Sequence, residues 1–492
     1  MSKKKSDVLF HTWIPLLALA IGCCLCGFLP DIPEKDAASF APFLLLFIGL
    51  AAAIVALSKK WNTQRAVCFL FAVGFVMRIL YVLYTPYTVR QHDVWFVTSG
   101  KGHMAYIQHF AETLALPESN ATWQFTHPPL HHFLAGRLYG LLQNAGLEAE
   151  LIAEKLQFLT AFYSCALMVV CDRLFCRCGL KRHARVLADT VIVFHPTFFL
   201  LGGCLNNDML CVLLSVTSLL FFAVWWQEEK TVPLLWCGAF LGLAMMAKVS
   251  AALLAFPLGI AFAARLITRV KKPLPLLLQY GLFGAVSIPL GMWFPLRNLI
   301  LFDQPLGYVA ALSPKANAAQ YLADIPAARR LFEFPASQLK TPFQSWDEAD
   351  PGCNVFLSLF KTSVFGEKEW GGGVFTFLLF YSSVLLALVA FFVLMWRSTS
   401  LLTKHKNGLD AIWLCYTAVT VISFVSFCFA YPFICSQDFR YLATLLPFGA
   451  LSLGNLFTSS KSRIIRGLLS GTVVLFALSS AAIYALPNIF LQ

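Results

Sequence analysis

The sequence predicts an all-α polytopic membrane protein of about thirteen transmembrane helices. Hydrophobic residues make up 59% of the 492 positions and the mean hydropathy is +0.71, far above the values of soluble enzymes. Apolar runs of about 17–25 residues recur, and each is long enough to cross a bilayer core of about 30 Å as a helix. The alternating pattern of outer-membrane strands is missing, so a helical bundle is expected.

The expected spans follow from these apolar runs. In chain order they are 12–30, 39–58, 65–85, 151–174, 185–202, 209–227, 232–249, 251–268, 275–296, 373–396, 409–431, 441–458 and 466–487. The first run follows a lysine-rich start, as a secretory signal would. No small-residue cleavage site follows it cleanly, so we expect it to remain as a span.

Basic residues between the runs determine the expected orientation. All the larger groups fall on one side of the span arrangement, which the positive-inside rule makes cytoplasmic. These groups are Lys3, Lys4 and Lys5; Lys59, Lys60 and Arg65; Arg173, Arg177, Lys181, Arg182 and Arg185; Arg265, Arg269, Lys271 and Lys272; Arg397, Lys404 and Lys406; and Lys461, Arg463 and Arg466. The net charge of +12 is then explained by topology, and no nucleic-acid partner is expected.

Two long segments, at about 86–150 and 297–372, are expected on the extracytoplasmic side. The first contains two helical patterns, 101–116 and 129–144, each with an apolar side typical of a helix lying along a membrane surface. The second contains six prolines and is expected to form short helices and turns. No Gly/Ser linker or internal repeat divides the chain, so residues 1–492 are expected to form a single membrane-embedded domain.

The polar segment between the third and fourth spans gathers many ionisable side chains for a protein in which only 13% of residues are charged. Asp93 lies a few residues beyond the third span. A carboxylate at this place can accept a proton from an attacking hydroxyl; alternatively, it is a solvated loop residue or a helix cap. Arg90, His92 and His103 lie in the same segment and are accessory candidates.

Ionisable residues from other spans reach the same expected face. They are Asp208, Lys248, Arg297 and Arg440, together with His127 before a Pro-Pro turn. Lysine and arginine side chains can hold a phosphate, arginine through paired hydrogen bonds and lysine as a point charge. Taken singly, Asp208 can cap the sixth span, Lys248 can snorkel towards water, and His127 can simply lead the proline turn.

No metal site and no cofactor are expected. Most of the fifteen cysteines lie inside spans, where they behave as small apolar residues, and they show neither zinc-ligand spacing nor a disulfide framework. His131 and His132 follow His127 closely, but no acidic or cysteine partner stands at ligand spacing from them.

An ordered set of short motifs runs from about residue 65 to residue 460. In order they are HDVW, GHMAYI with a later LP, HPPL, NNDML, GLAMMAK, WFPLRN and DQPLG. In this order the chain resembles the multi-span glycosyltransferases of the GT-C fold. Within that fold it is most similar to bacterial protein-mannosyltransferase-like enzymes and to the aminoarabinose and lipopolysaccharide-core sugar transferases.

The resemblance implies transfer of a sugar from a polyprenyl-phosphate carrier to a protein, lipid or glycan acceptor on the extracytoplasmic side. It implies that Asp93 is the catalytic base or organises the acceptor and that Asp208 is a second acid near the acceptor. It further implies that Lys248 and Arg297 hold the donor phosphate, that His127 stands where relatives have Lys or His, and that Arg440 is a late basic residue of the same site.

Two other functions stay open from the sequence. A lipid or small-molecule transporter or flippase would favour internal repeats and charges at the bilayer midplane, whereas the charges here gather at one face. A scaffold for an envelope complex would have no need of Asp93. The expected location is a bacterial plasma membrane with the site facing outward, or the endoplasmic reticulum membrane in a eukaryote.

Overall fold

The computed structural model describes residues 12–33, 49–51, 53, 56, 62–271, 273–310, 312–315, 317–371, 373–404 and 408–485. In these ranges the regular structure is helical, and β-pairing is limited to an isolated antiparallel bridge between Tyr321 and Phe433. The predicted all-α class is therefore confirmed.

The helices are numbered in chain order. They are α1 Trp13–Cys26, α2 Thr63–Tyr84, α3 Gly102–Glu112, α4 Leu130–Asn144, α5 Ala149–Arg177, α6 Arg182–Phe194, α7 Pro196–Gly203, α8 Asp208–Glu228, α9 Thr231–Ala247, α10 Ala255–Thr268, α11 Leu274–Phe302, α12 Ala327–Phe332, α13 Ala336–Lys340, α14 Val355–Phe365, α15 Val374–Lys404, α16 Leu409–Ala430, α17 Leu446–Ser459 and α18 Arg463–Tyr484. Short 3₁₀ helices cover Trp123–Thr126, Val249–Leu254, Ala318–Gln320, Ile434–Gln437 and Phe439–Leu445.

Every predicted span that falls on described residues coincides with one or two of these helices. The span predicted at 39–58 lies largely outside the described residues. Nine helices of the described part are long and apolar enough to cross a membrane, or ten if α6 and α7, bent by 43°, form one span. With 14 and 17 residues, α1 and α9 are shorter than a full crossing. The total of about thirteen spans stays a prediction.

The two segments predicted to be extracytoplasmic contain helices where the sequence predicts them. Helices α3 and α4 occupy the two patterns of the first segment, although α3 ends at Glu112 rather than at residue 116. The second segment forms the short helices α12 and α13 and turns, as expected. It also forms the helix α14, which is largely buried. This helix was not predicted from the sequence.

The centre of the bundle is formed by α5 and α8, whose side chains are mostly buried, whereas α10 and α11 leave most of theirs uncovered. Apolar side chains such as Ile288 and Ile300 on α11 are exposed, as suits helices that contact lipid. Inside the bundle, Arg78 of α2 donates hydrogen bonds to Ser164 Oγ at 2.8 Å and to the carbonyl oxygen of Val193 at 3.0 Å. Arg78 thus joins α2 to α5 and α6, and these contacts explain why an arginine is buried inside the bundle.

Three of the basic residues predicted to be cytoplasmic lie at the far end of α8 from Asp208. There Arg177 pairs with Glu228, Arg265 with Glu229 at 3.2 Å, and Arg397 with Asp410 at 2.8 Å. All three arginines line one cavity of about 790 Å³. The 21-residue helix α8 separates the two ends by about 31 Å, so Asp208 and these three arginines lie at opposite ends of the bundle.

The loop between α2 and α3 is held by its backbone. The carbonyl oxygen of Asp93 accepts a hydrogen bond from the amide of His103 at 2.8 Å, and that of Val94 accepts one from Met104 at 3.1 Å. Gly102 makes this closure possible, because its φ is +71° and a Cβ there would lie 2.5 Å from the carbonyl oxygens of Asp93 and Val94. Asp93 itself has a φ of 58°, a conformation that non-glycine residues seldom adopt.

Histidine side chains join α3 to α4. His103 Nδ1 and His132 Nε2 are 2.8 Å apart in a hydrogen bond, and the two rings stack with centroids 5.1 Å apart. His131 is also fully buried. Burial lowers the pKa of His131 to about 4 and holds the pKa values of His103 and His132 well below their usual range, because a charged imidazole there would lose its hydration. These three histidines are therefore neutral at pH 7.

We expect Gly102→Ala to open the loop that carries Asp93. The added Cβ would collide with two carbonyl oxygens, in addition to a conformational strain of about 1 kcal/mol. Tryptic cleavage after Lys101 in the purified protein should become several-fold faster. Gly100→Ala is the matched control, because Gly100 has a φ of +62° but no atom within 4 Å of its Cβ position. Equal cleavage rates in the two variants would contradict this account of the loop.

We expect the protein to lose stability between pH 7 and pH 5. The unfolded chain takes up protons on histidine near pH 6.5, whereas buried His103, His131 and His132 do so only at lower pH. Because the unfolded state binds more protons in this window, the free energy of unfolding falls by about 2 kcal/mol per histidine. Denaturation in detergent at both pH values measures this loss. His131→Gln should reduce the pH dependence, and His183→Gln, at an exposed position, should not.

Candidate functional site

Four ionisable side chains from separate parts of the chain form what we call the acid–cation cluster: Asp93, Asp208, Lys248 and Arg440. Lys248 Nζ forms an ion pair with Asp208 Oδ1. Arg440 reaches both acids, with Nη1 3.9 Å from Asp208 Oδ2 and Nη2 3.9 Å from Asp93 Oδ2. The sequence predicted all four at one face, and the structure brings them together.

Asp208 is the buried centre of this cluster. It is the first residue of α8, where the helix dipole favours a carboxylate, and its side chain is only 4% exposed. Asn206 donates a hydrogen bond from Nδ2 to Asp208 Oδ2 at 3.1 Å and accepts one from the Asp208 amide. The N-cap position belongs to Asn207, so the alternative interpretation of Asp208 as the cap of this span is wrong.

Lys248 and Arg440 are both largely buried and face Tyr441. Lys248 lies between α9 and the 3₁₀ helix Val249–Leu254, and its Nζ is 4.6 Å from the centre of the Tyr441 ring. Arg440 Nη2 donates a hydrogen bond to Tyr441 Oη at 3.2 Å. The side chain of Lys248 is 16% exposed, so it is held inside the protein by an acid and an aromatic ring instead of snorkelling to water.

Asp93 differs from Asp208 in its accessibility. Its side chain is 51% exposed, although its backbone is fixed by His103 and Gly102. Arg440 Nη2 lies 3.9 Å from its Oδ2. A carboxylate that is accessible and close to a cation is available to contact a ligand, whereas Asp208 is occupied by its protein partners.

His127 lies beside the acid–cation cluster. Its ring stacks on that of His103 with centroids 5.3 Å apart, and Tyr106 Oη donates a hydrogen bond to its carbonyl oxygen at 3.2 Å. Desolvation by the surrounding side chains, with a contribution from Lys248, lowers the pKa of His127 to about 4. A neutral imidazole at this position can donate one hydrogen bond without adding charge.

Two sequence candidates have their contacts elsewhere. Arg297 donates a hydrogen bond from Nη2 to the carbonyl oxygen of Pro117 at 3.0 Å and another to Asn298. It thereby anchors the chain that leads from α3 towards His127. The guanidinium of Arg90 lies 3.8 Å from the centre of the Trp370 ring. The assignment of Arg297 and Arg90 to the site stays a prediction.

His92 belongs to a second group of ionisable side chains, which was not predicted from the sequence. Its Nδ1 is 3.6 Å from Glu367 Oε2, and its Nε2 is 3.8 Å from Asp438 Oδ2. Asp438 Oδ1 accepts a hydrogen bond from the Arg440 amide at 2.7 Å, which joins this group to the acid–cation cluster. Asp438 could have been found in the sequence, because it stands two residues before Arg440, whereas Glu367 gave no such signal.

The arrangement offers three chemical capacities in one place. Two cations can neutralise an anionic ligand such as a phosphate, an exposed carboxylate can accept a proton, and a neutral imidazole can donate a hydrogen bond. These capacities meet at the end of the bundle opposite to Glu228 and Arg177, where Asp208, Lys248 and Arg440 are largely withdrawn from water and their electrostatic contacts are stronger than in bulk water.

The chain has a weak similarity to two solved structures of archaeal oligosaccharyltransferases. The crystal structure of the Archaeoglobus fulgidus oligosaccharyltransferase in the apo form has 13% identity and a TM-score of 0.46, covering 85% of this chain and 55% of that one. Archaeal oligosaccharyltransferase AglB from the same organism, in complex with an inhibitory peptide and a dolichol-phosphate, has 12% identity and the same TM-score, covering 86% and 56%. The present chain thus spans just over half of their length. No curated protein matches the sequence.

Residues 126–293 match the family model described as dolichyl-phosphate-mannose-protein mannosyltransferase. The matching segment contains His127, Asp208 and Lys248, three of the residues on which the motif resemblance depends. The predicted resemblance is therefore confirmed over this part of the chain, which is similar to that mannosyltransferase family.

Proposed function

We propose that the protein transfers a sugar from a polyprenyl-phosphate carrier to an acceptor at the extracytoplasmic face of the membrane. The observation that carries this proposal is the convergence of Lys248 and Arg440 on a buried acid, next to an exposed one, at one end of the bundle. The name of the matching family model, which refers to dolichyl-phosphate mannose, supports a lipid-phosphate sugar as the donor class.

The leaving group is the polyprenyl phosphate. As the bond between the anomeric carbon and the phosphate oxygen breaks, negative charge grows on that oxygen. Lys248 and Arg440 already stand at the site, held by Asp208, and can bind this charge without reorganising, which is the main source of electrostatic catalysis. His127 donates a hydrogen bond to the same phosphate. Stabilisation of the leaving phosphate as proposed uses these three side chains and no additional cofactor.

The acceptor hydroxyl is activated by Asp93. Its carboxylate takes the hydroxyl proton while the acceptor oxygen forms the new bond to the anomeric carbon, so the proton ends on Asp93 and the electron pair on the departing phosphate. Exposure of Asp93 supports this role, because a base must contact its substrate. Asp208 is assigned a positioning role instead, because Lys248, Arg440 and Asn206 already surround its carboxylate.

The carrier lipid is assigned to the uncovered apolar surface of the bundle, where contacts remote from the reacting carbon contribute binding energy. Exposed side chains on α11 such as Leu299 and Ile300 lie next to Arg297, near the chain that leads to His127. The acceptor class stays open between protein, lipid and glycan. With the basic loops in the cytoplasm, the site faces outward, in a bacterial plasma membrane or the corresponding face of a eukaryotic endoplasmic reticulum membrane.

We expect Asp93→Asn to lower sugar transfer by about 100-fold or more, since the amide cannot accept the acceptor proton. The assay uses purified protein with a panel of radiolabelled polyprenyl-phosphate sugars and a membrane extract as the acceptor source. Asp324→Asn, at an exposed acid of the second outer segment, is the control and should keep full turnover. Undiminished transfer by a correctly folded Asp93→Asn protein would remove Asp93 from the reaction.

We expect Lys248→Met to lower kcat/KM for the lipid-linked donor by about 100-fold, because one preorganised charge at the leaving phosphate is lost. Lys248→Arg should restore part of this loss, since it keeps the charge. Lys101→Met, at an exposed lysine of the first loop, serves as the control. If the methionine variant elutes as a monodisperse protein and retains its kcat/KM, Lys248 does not contact the donor.

A further inference from the structure

Beside the acid–cation cluster lies the group of His92, Glu367 and Asp438, which we call the His–acid group. One ligand atom from each residue can be chosen so that all three atoms lie within 4.8 Å of one another. The residues come from three separate segments: the loop after α2, the loop after α14, and the junction of two 3₁₀ helices. Only the folded chain brings them together.

Two oxygen atoms of this group lack a hydrogen-bond donor among the described residues. Asp438 Oδ2 and Glu367 Oε1 are both buried without a partner, and Asp438 is only 3% exposed. Oδ1 of Asp438 is already used by the Arg440 amide, so Oδ2 is left facing His92. A buried carboxylate oxygen without a hydrogen-bond partner costs about 1–3 kcal/mol, so a cation that bound both oxygens would stabilise the group.

The separations in the His–acid group suit a shared metal ion better than direct hydrogen bonds. At 3.6 and 3.8 Å, both carboxylate contacts to His92 exceed the usual hydrogen-bond distance. These two contacts use different ring nitrogens of His92, and one ion can bind only one of them. With one nitrogen and one oxygen from each carboxylate, the three ligand atoms lie within 4.8 Å of one another. Ligands at about 2.1 Å from one ion are about 3–4.2 Å apart, so rotation of a carboxylate is needed to bring all three atoms to a common centre. A small cavity of about 10 Å³ is lined by His92 and Glu367, although not by Asp438, and it has room for about one water beside the group.

We propose that His92, Glu367 and Asp438 bind one divalent transition-metal ion, with Zn²⁺ as the ion that this set of ligands fits best. One imidazole nitrogen and two carboxylate oxygens favour Zn²⁺ or Mn²⁺ over Mg²⁺ and Ca²⁺, which prefer oxygen ligands alone. The ion would cancel the charge of the two carboxylates. The sequence gave no hint of it, because the three ligands are far apart along the chain.

This site would position the cluster and would not take part in transfer. Asp438 holds the backbone of Arg440, and His92 precedes Asp93 directly, so the ion would connect the segments that carry a cation and the exposed acid. The inference does not depend on the proposed transfer reaction, because metal binding can be measured without any donor or acceptor. It extends that function if both hold.

The test measures metal content in the purified full-length protein. The protein is stripped with a chelator, dialysed against Zn²⁺ alone or Mn²⁺ alone, freed of excess metal, and measured by inductively coupled plasma mass spectrometry. Because the fifteen cysteines can bind Zn²⁺ on their own, occupancy of the site is taken as the difference in metal content between the natural chain and a variant. We expect one equivalent of metal more in the natural chain than in Asp438→Asn, and a metal-induced rise in melting temperature that this variant lacks.

Asp410→Asn is the matched control, because it also breaks a partly buried acid pair, with Arg397, at the opposite end of the bundle. It should bind the metal as the natural chain does. His92→Gln provides a second variant should Asp438→Asn fail to fold, and it should also lose the equivalent. Equal metal content in the natural chain and both variants would overturn the proposal. So would a natural chain that takes up neither ion, which would leave His92 as a protonated bridge between two carboxylates.

Discussion

The structure of the site depends on the burial of one carboxylate, that of Asp208, between Lys248 and Arg440. Removing a carboxylate from water costs several kcal/mol unless opposite charges and hydrogen bonds replace its hydration. Here the replacement comes from three directions: the start of α8, the end of α9 and the 3₁₀ helix Phe439–Leu445. The acid therefore fixes the relative positions of these segments, and it keeps two cations in place before any anionic ligand arrives.

The two acids of the cluster differ in burial and therefore in the role that each can take. Asp208 is enclosed and saturated with partners, so it can hold cations but cannot easily receive a substrate. Asp93 is half exposed, and its position is set by the backbone through Gly102 and His103 instead of through its side chain. A rigid backbone with a free carboxylate is the combination that a group needs when it must meet a substrate in a defined place. Strain at a φ of 58° is consistent with such a functional constraint.

Hydropathy and charge were sufficient to predict the long helices and to place Asp93, Asp208, Lys248 and Arg440 at one end of the bundle. Lys248 and Arg440 stood out because cations on the outer side oppose the general charge distribution. Depth along a span, however, does not determine the direction of a side chain around it. Arg297 lies at the predicted level but turns to the carbonyl of Pro117. The pairing of His92 with Glu367 and Asp438 depends on tertiary contacts between distant segments, which no local pattern records.

The distribution of charge also separates a group-transfer site from a transport pathway. A pathway needs sites that are open in turn to both sides, commonly near the midplane. In this protein the accessible carboxylate and the two cations gather at one end of α8. At the other end, Arg177, Arg265 and Arg397 are each engaged by an acid. Cations are paired with acids at both ends, and the end near Asp208 also presents the half-exposed carboxylate of Asp93. An accessible base beside two cations suits the proposed meeting of two ligands at one end of the bundle better than the passage of one ligand across it.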